Sequence, residues 1–208
     1  MLVELTRPVV GARCARQGRS DKIARLGLIR TFQTARVFAG MSVLENVLAG
    51  AHVGMHASVW EEAFALPRAG IEERDVRARA LHLIDLLGLG AVAGDPAISL
   101  PLGLQKLLEI ARALMASPRV LLLDEPAAGL NDTETLRLAE LLAAINAAGV
   151  TMVVVEHNMS LVMSISQDIV VLDAGRVIAR GTPAAVQADE RVIEAYVGRS
   201  ADAPGVAS

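Results

Sequence analysis

Two acidic residues at the end of an aliphatic run are the strongest chemical signal in this sequence. The segment RVLLLDEPAAGLN, residues 119–131, places Asp124 and Glu125 directly after four aliphatic residues and before a proline. In nucleotide hydrolases a pair of this kind divides the work, because the aspartate holds Mg²⁺ and the glutamate polarises the attacking water. The segment therefore predicts phosphoryl-transfer chemistry at the carboxyl end of a strand. A charged exit from a strand into a loop is the structural alternative.

Two further polar residues follow β-prone segments in the same manner. His157 comes directly after VTMVVVE at 150–156, and Gln33 follows a segment that ends in IRTF. Parallel neighbouring strands open at one edge of a sheet, where α/β proteins place their ligands. We therefore expect the imidazole of His157 beside Glu125, whereas a lone surface histidine is the alternative interpretation.

A helix start provides a third element that suits phosphate. In SLPLGLQKLLEIARAL, residues 99–114, a Pro-Leu-Gly turn leads into a predicted helix, and Pro101 fits its first turn. Backbone N–H groups at such a terminus favour an anion. Many helices begin in this way, so the segment indicates a phosphate site only in combination with the acidic pair.

The elements that must position these residues form an α/β pattern. Residues 43–115 are mostly of helical periodicity, and Gly88 and Gly90 end the long amphipathic segment that begins near residue 71. Strands at 120–123 and 150–156 then alternate with helices from about Thr133 and Ser160. IVVLDAGRVIARG predicts a hairpin that turns at residues 173–175, and short helices follow near residues 183 and 191–197.

Composition excludes several classes of protein. The chain has 208 residues, 53% hydrophobic and 2% aromatic, so its core must be aliphatic and a base-stacking surface for nucleic acid is not expected. The single cysteine, Cys14, rules out an internal disulfide and fits a reducing cytoplasm. No apolar run is long enough to span a bilayer, which predicts a soluble or peripherally attached chain. The basic first 36 residues either contact phosphate or lipid headgroups or form a solvated arm.

Taken together, the motifs resemble the ATP-binding-cassette (ABC) ATPase family from Ile23 to Gly198. Finer features, among them RTFQ at 30–33, EHNMSLVM from 156 and the ending GTPAAVQADERVIEAYVG, resemble the ATPase subunits of branched-chain amino-acid importers; relatives that move urea or short amides share that pattern. The corresponding motifs are the Q-loop glutamine (Gln33), the signature motif (LPLGLQ, 100–105), the Walker B strand (VLLLDE, 120–125), the D-loop (AGLN, 128–131) and the switch histidine (His157).

The resemblance implies an incomplete P-loop NTPase core of the RecA-like type, with a mainly parallel sheet and an α-helical subdomain. The implied ATPase domain covers residues 23–198, with the helical subdomain at about 40–115, a basic segment at 1–22 and a flexible tail at 199–208. It further implies ATP and Mg²⁺ as cofactors and catalytic roles for two residues, with the remaining site residues in binding roles. The catalytic residues are Glu125 and His157, the metal ligands Gln33 and Asp124, and the nucleotide-binding residues Gln33, Leu102, Gly103, Asp124 and Asn131.

The resemblance also implies partners and a location. Two such domains, as a homodimer or heterodimer, would stack head to tail, so that Glu125 and His157 serve their own nucleotide while Leu102 and Gly103 serve the partner's. The helical region would dock on membrane permease subunits at the cytoplasmic face of the plasma membrane, and an extracellular or periplasmic solute-binding protein would take part indirectly. Nucleic acid is not an expected partner.

The sequence departs from that family in its phosphate loop and its signature motif. No G-x-x-x-x-G-K-[ST] occurs in residues 1–208, and residues 1–22 are expected to supply neither that loop nor its strand, which would leave Val153, Val154 and Val155 partly exposed. A truncated gene start is one explanation, and a chain that works only beside an intact partner is the other. Pro101 and Leu104 stand where the family usually has a hydroxyl residue and a glutamine.

Overall fold

The computed structural model describes residues 2–5, 26–31, 37–53 and 67–201. Side chains are described within these ranges except at residues 2–5, 52–53, 67–72 and 197–201. Of the sequence predictions, Gln33, Cys14 and the helix expected after Ser58 lie outside the described residues.

One sheet of six strands forms the centre of the described residues. The strands are β1 (Leu2–Leu5), β2 (Leu28–Arg30), β3 (Val120–Asp124), β4 (Thr151–Val155), β5 (Asp168–Asp173) and β6 (Arg176–Gly181). Their order across the sheet is β2-β3-β4-β1-β5-β6. β2, β3 and β4 are parallel neighbours, and β1 runs antiparallel to both β4 and β5, so β4 and β5 point the same way. β6 is antiparallel to β5. Four of the six described strands, β2 to β5, therefore share one direction, which confirms the predicted mainly parallel sheet.

The amino-terminal strand corrects one expectation. Residues 1–22 were expected to supply no strand, yet Leu2–Leu5 lies inside the sheet, with Val3 opposite Val154 on β4 and Ile169 on β5. Val154 is fully buried, whereas Val153 and Val155 are partly exposed, as expected. The sequence LVEL carries no local signal for this position, because the hydrogen-bond partners of β1 lie some 150 residues further along the chain.

The helices follow the predicted periodicity with small shifts at their ends. The helix expected from about Thr133 begins at Asp132, and the final one extends over residues 190–201. Short 3₁₀ turns occupy residues 50–53, 90–92 and 97–99. The helices are α1 (Val43–Ala49), α2 (Pro67–Leu86), α3 (Leu102–Met115), α4 (Asp132–Ala147), α5 (Met159–Ile165), α6 (Pro183–Gln187) and α7 (Glu190–Ala201).

Side-chain caps fix where several helices begin. The side chains of Ser42 and Asn131 each accept a hydrogen bond from the backbone N–H of a glutamate three residues later. The carboxylate of that glutamate accepts in turn from the backbone N–H of the capping residue. These reciprocal capping boxes satisfy N–H groups that the first helical turn leaves without partners. Asn158 and Thr182 cap α5 and α6 in the simpler one-way form.

An aliphatic core joins the sheet to its helices, as the composition predicts. Alternate residues of β3 and β4 are buried, and α4 contributes one stripe of buried residues along its length. The α1 and α2 helices bury their apolar faces against α3, which links the helical region to the sheet. The fully or almost fully buried members include Val43, Val47, Ile84, Leu108, Leu121, Leu123, Leu138, Leu142, Met152, Val154 and Ile169.

Candidate functional site

The carboxyl end of β3 carries Asp124, the first member of the acidic pair. Its partner across the parallel ladder is Val155, so the two strands end at the same level. Arg30, the last residue of β2, donates from Nη2 to Asp124 Oδ2 over 2.9 Å. A neighbouring strand therefore places a cation on the carboxylate that the sequence predicts to hold a metal ion.

Glu125 leaves the sheet in an unusual backbone conformation. Its φ is +47°, in the left-handed region that L-residues seldom adopt. Its N–H donates to the carbonyl of Val155 over 2.8 Å, and its Oε1 lies 3.8 Å from Nδ1 of His157. The His157 side chain is 74% exposed, whereas that of Glu125 is 30% exposed. The structure thus brings the predicted base and the predicted switch histidine together at one open edge.

The start of α3 lies against a different part of the molecule. A Cβ added at Gly103 would stand 2.8 Å from Glu134 Oε1, and one added at Gly129 would stand 2.8 Å from Leu102 Cδ2. Leu102 is 47% exposed. Leu102 and Gly103 therefore pack on the loop and first turn that precede and open α4.

Asn131 stabilises that loop rather than facing the acidic pair. Its Oδ1 accepts from the N–H of Glu134 over 2.9 Å, and Glu134 Oε2 accepts from the N–H of Asn131 over 3.0 Å. Since Glu134 also abuts Gly103, the capping box of α4 sets the surface on which the start of α3 rests.

Two charged residues near the acidic pair were missed by sequence reasoning. Lys106 and Glu156 are buried, with 7% and 2% of their surface exposed. Lys106 Nζ donates to the carbonyl of Glu125 over 2.8 Å. Glu156 Oε1 accepts from the N–H of Ala127 over 2.8 Å. Two features of the sequence could have indicated them. Lys106 falls within the apolar stripe of α3, and Glu156 follows a buried strand directly.

Burial also shifts the pKa of Lys106. Removal from water lowers the pKa of its ammonium group, and the carboxylates of Glu156, Glu109 and Glu125 act in the opposite direction. The site therefore contains a buried cation directly behind the open carboxylates.

Comparison with known proteins identifies the family. The family model described as "ABC transporter" matches residues 6–128, which is more than half of the chain. The branched-chain amino-acid transport ATP-binding protein BraF of Pseudomonas aeruginosa is 42% identical over 180 residues, covering 86% of this chain and 71% of BraF. The chain belongs to the ABC transporter family of ATPases. A second model, "Branched-chain amino acid ATP-binding cassette transporter", matches residues 176–202 of this ABC ATPase.

Solved structures show the same fold. The ADP conformation of an ATP-binding cassette of an ABC transporter has a TM-score of 0.70 and 29% identity to this ABC ATPase, covering 86% of this chain and 71% of that one. A dimeric post-hydrolysis cassette bound to ADP and Pi has a TM-score of 0.64 and 25% identity, covering 79% and 68%. The predicted P-loop NTPase fold class is confirmed.

Asp124 is suited to Mg²⁺, which this ATPase family uses together with ATP. Mg²⁺ prefers oxygen ligands and is commonly held by one or two carboxylates plus substrate phosphates. The guanidinium on Asp124 shows that the carboxylate accepts a cation in this orientation. Among the described residues there is no group of three or more His, Cys, Asp or Glu that could hold a metal alone. Asp124 would hold bound Mg²⁺ together with phosphate oxygens and water, and the ion would neutralise phosphate charge.

The direction of β1 follows from its antiparallel pairing with β4. Leu2 lies opposite Val155, at the edge that carries the acidic pair, whereas Leu5 lies opposite Met152. From Leu2 to Leu5 the strand therefore runs away from Glu125 and His157.

Across the described ranges of this ABC ATPase, every helix falls short of the length or the hydropathy that crossing a bilayer requires.

Proposed function

We propose that this chain is the ATP-binding subunit of an ABC importer for branched-chain amino acids. The placement of Glu125 Oε1 3.8 Å from His157 at the same sheet edge as Asp124 carries the ATPase half of this proposal. The similarity to BraF and the family match at residues 176–202 support the solute class. The chain would lie at the cytoplasmic face of the membrane, bound to permease subunits that receive solute from a binding protein.

Each predicted residue has a distinct task in this proposal. Glu125 orients the attacking water as its base, and the exposed imidazole of His157 contacts the terminal phosphate. Asp124 holds Mg²⁺, for which Arg30 must leave the carboxylate, and Gln33 reaches the same ion. Leu102 and Gly103 contact the nucleotide of a second ABC ATPase subunit, because α3 begins on the D-loop side and not beside Glu125. Asn131 holds that side in place through its capping box.

Hydrolysis by these 208 residues alone is expected to be weak. The sequence has no G-x-x-x-x-G-K-[ST] loop, and β1 runs away from the site. Loss of a single preorganised donor costs a factor of about 10² to 10³ in rate, so loss of an entire phosphate cradle leaves little turnover. Calorimetric titration of the chain with ATP and Mg²⁺ should show no tight binding, and micromolar affinity would overturn this expectation.

A second candidate function is a non-hydrolysing partner that lends its signature helix to an intact subunit. The exposed Leu102 at the start of α3 favours it, since this surface is formed without a phosphate loop in the same chain. Both candidates place the chain in a dimer, and the dimeric cassette with 25% identity supports that arrangement. They differ in whether Glu125 contributes to turnover.

Mixing experiments with an intact ATPase subunit separate the two candidates. Gly103→Ala should slow the mixture's ATP turnover in both, because the added methyl would displace the side chain of Glu134 and change the surface at the start of α3. Gly94→Ala is the matched control, since nothing lies within 4 Å of its added Cβ. Glu125→Gln should slow turnover only if this chain hydrolyses ATP. Unchanged turnover with Gly103→Ala would contradict both candidates.

A further inference from the structure

Lys106 reaches from the signature helix into the backbone of the catalytic loop. It lies three residues after Gly103 on α3, is 7% exposed, and donates from Nζ to the carbonyl of Glu125 over 2.8 Å. The same carbonyl accepts from the N–H of Ala128 over 3.1 Å. A lysine is seldom buried unless it is paired, and here its hydrogen-bond partner is the backbone of Glu125.

The bonded residue is one whose backbone needs support. With φ at +47°, Glu125 occupies a region that persists only where the surroundings determine it. Its N–H is fixed by the carbonyl of Val155 at 2.8 Å, and its carbonyl is fixed by Lys106. Both ends of the strained residue are therefore held, and its carboxylate is directed toward His157.

Glu156 performs a similar task for the neighbouring loops. Its Oε1 accepts from the N–H of Ala127, and its Oε2 accepts from the N–H groups of His157 at 3.0 Å and Asn158 at 3.2 Å. A single buried carboxylate thus ties the loop after β3 to the loop after β4. Bonds from several N–H groups to a carboxylate are charge-assisted and strong.

Lys106 and Glu156 also stabilise each other as charges. Burial lowers the pKa of Lys106, and Glu156 provides the largest of the carboxylate interactions that oppose this shift. Removal of Glu156 would leave Lys106 with the smaller interactions of Glu109 and Glu125. By hydrogen bonds, Lys106 connects α3 to the loop after β3, and Glu156 connects that loop to the loop after β4.

We propose that Lys106 and Glu156 are positioning residues that hold Glu125 and His157 in their reactive arrangement. The positions of Glu125 and His157 do not depend on the proposed function, but the catalytic use of that arrangement rests on it. Because Lys106 stands about one helical turn after Gly103, a displacement of α3 also moves the backbone of Glu125. The surface that serves the partner's nucleotide is thereby coupled to the carboxylate that serves the chain's own nucleotide.

The test is an NMR measurement of backbone conformation in the full chain without nucleotide. In Lys106→Met, the scalar couplings and carbon shifts of Glu125 should move out of the positive-φ range. Ser117 and Ala174, which also have positive φ at 52° and 45°, are internal controls and should keep their values. A merely structural lysine would lower stability without changing Glu125 in the folded molecules. An unchanged Glu125 in folded Lys106→Met therefore overturns the proposal.

Glu156→Gln provides a second variant should Lys106→Met fail to fold. Its amide group cannot accept from all three N–H groups, so the amide signals of Ala127, His157 and Asn158 should shift together. The control is Asp168→Asn, which alters the exposed ion pair with Arg180 and should leave those three signals in place. If only one of the three signals moves in Glu156→Gln, the proposed tie between the loops is wrong.

These measurements are independent of ATP chemistry. Loss of the proposed function in the mixing experiments would leave the NMR result standing. An unchanged Glu125 in the NMR experiment would remove only the positioning role.

Discussion

Glu125 combines the carboxylate that we propose as the base with a backbone conformation that L-residues seldom adopt. Its φ of +47° follows from two fixed contacts, at Val155 and Lys106, that lie on separate elements. Strain of this kind at a functional residue is a form of preorganisation, because the surrounding fold bears its cost in advance. The position of the carboxylate is thus a property of the packing and not of the Asp-Glu sequence.

The buried Lys106 predicts a pH dependence of stability. Burial lowers its pKa in the folded protein below the unfolded value of about 10.4. Between the two pKa values the unfolded chain binds more protons, so the free energy of unfolding should rise with pH in that window. Urea unfolding from pH 7 to 10.5 should show this rise in the native chain and not in Lys106→Met. A constant difference between the two proteins would contradict it.

At the scale of elements, the loop that opens α4 has two functions. Asn131 and Glu134 form the capping box, and Glu134 also contacts the backbone at Gly103 on α3. The capping box that stabilises the start of α4 therefore also forms the surface against which the start of α3 packs. Sequence reasoning identified Asn131 through its motif, but the contact between Glu134 and Gly103 joins residues 31 positions apart and has no local signal.

Loss of this cap should weaken the protein measurably. Asn131→Ala removes the acceptor for the N–H of Glu134, and such changes cost about 0.5–2 kcal/mol. Thr133→Ala, in the exposed first turn of the same helix, is the control and should change the free energy of unfolding by less than about 0.5 kcal/mol. Urea unfolding of the three proteins gives the comparison, and equal losses would argue against the cap.

At the scale of the whole molecule, α4 buries one face in the aliphatic core and exposes the other. Leu138 is 1% exposed, whereas Leu136, two residues earlier, is 67% exposed. Helical periodicity predicted this helix, but which face is buried depends on where the rest of the core lies. The aliphatic core contains residues from Val43 to Val192, so a substitution in it should lower the free energy of unfolding of the described fold.

Replacing each of these two leucines by alanine should show that the loss of stability depends on burial and not on the residue type. Leu138→Ala should cost about 2–5 kcal/mol, because it removes buried methyl groups and leaves a cavity. Leu136→Ala should change the free energy of unfolding by no more than about 0.5 kcal/mol. Chemical denaturation measures both values. Similar losses at the two positions would mean that the described packing of α4 is wrong.

The order of the strands shows where local information ends. Hydrophobic runs predicted β3 and β4, and their parallel pairing followed from the helix between them. The entry of β1 between β4 and β5 in the reverse direction did not follow, because a strand of four residues carries no mark of its partners. Its direction places Leu2, and not Leu5, at the edge of the sheet that carries the acidic pair.

The sequence by itself determined where the candidate site residues lie along the chain: an acidic pair after one buried strand, a histidine after the next, and a glycine in the first turn of a helix. These assignments are local, because a residue's type and its distance from the end of a strand are both written in the chain. Only the tertiary structure decided that the buried Lys106 and Glu156 bond to the backbone around the acidic pair. It also decided that Arg30 forms an ion pair with Asp124 and that Glu134 lies against Gly103. Those contacts join segments separated by tens of residues, and they form only when burial of the aliphatic core brings the segments together.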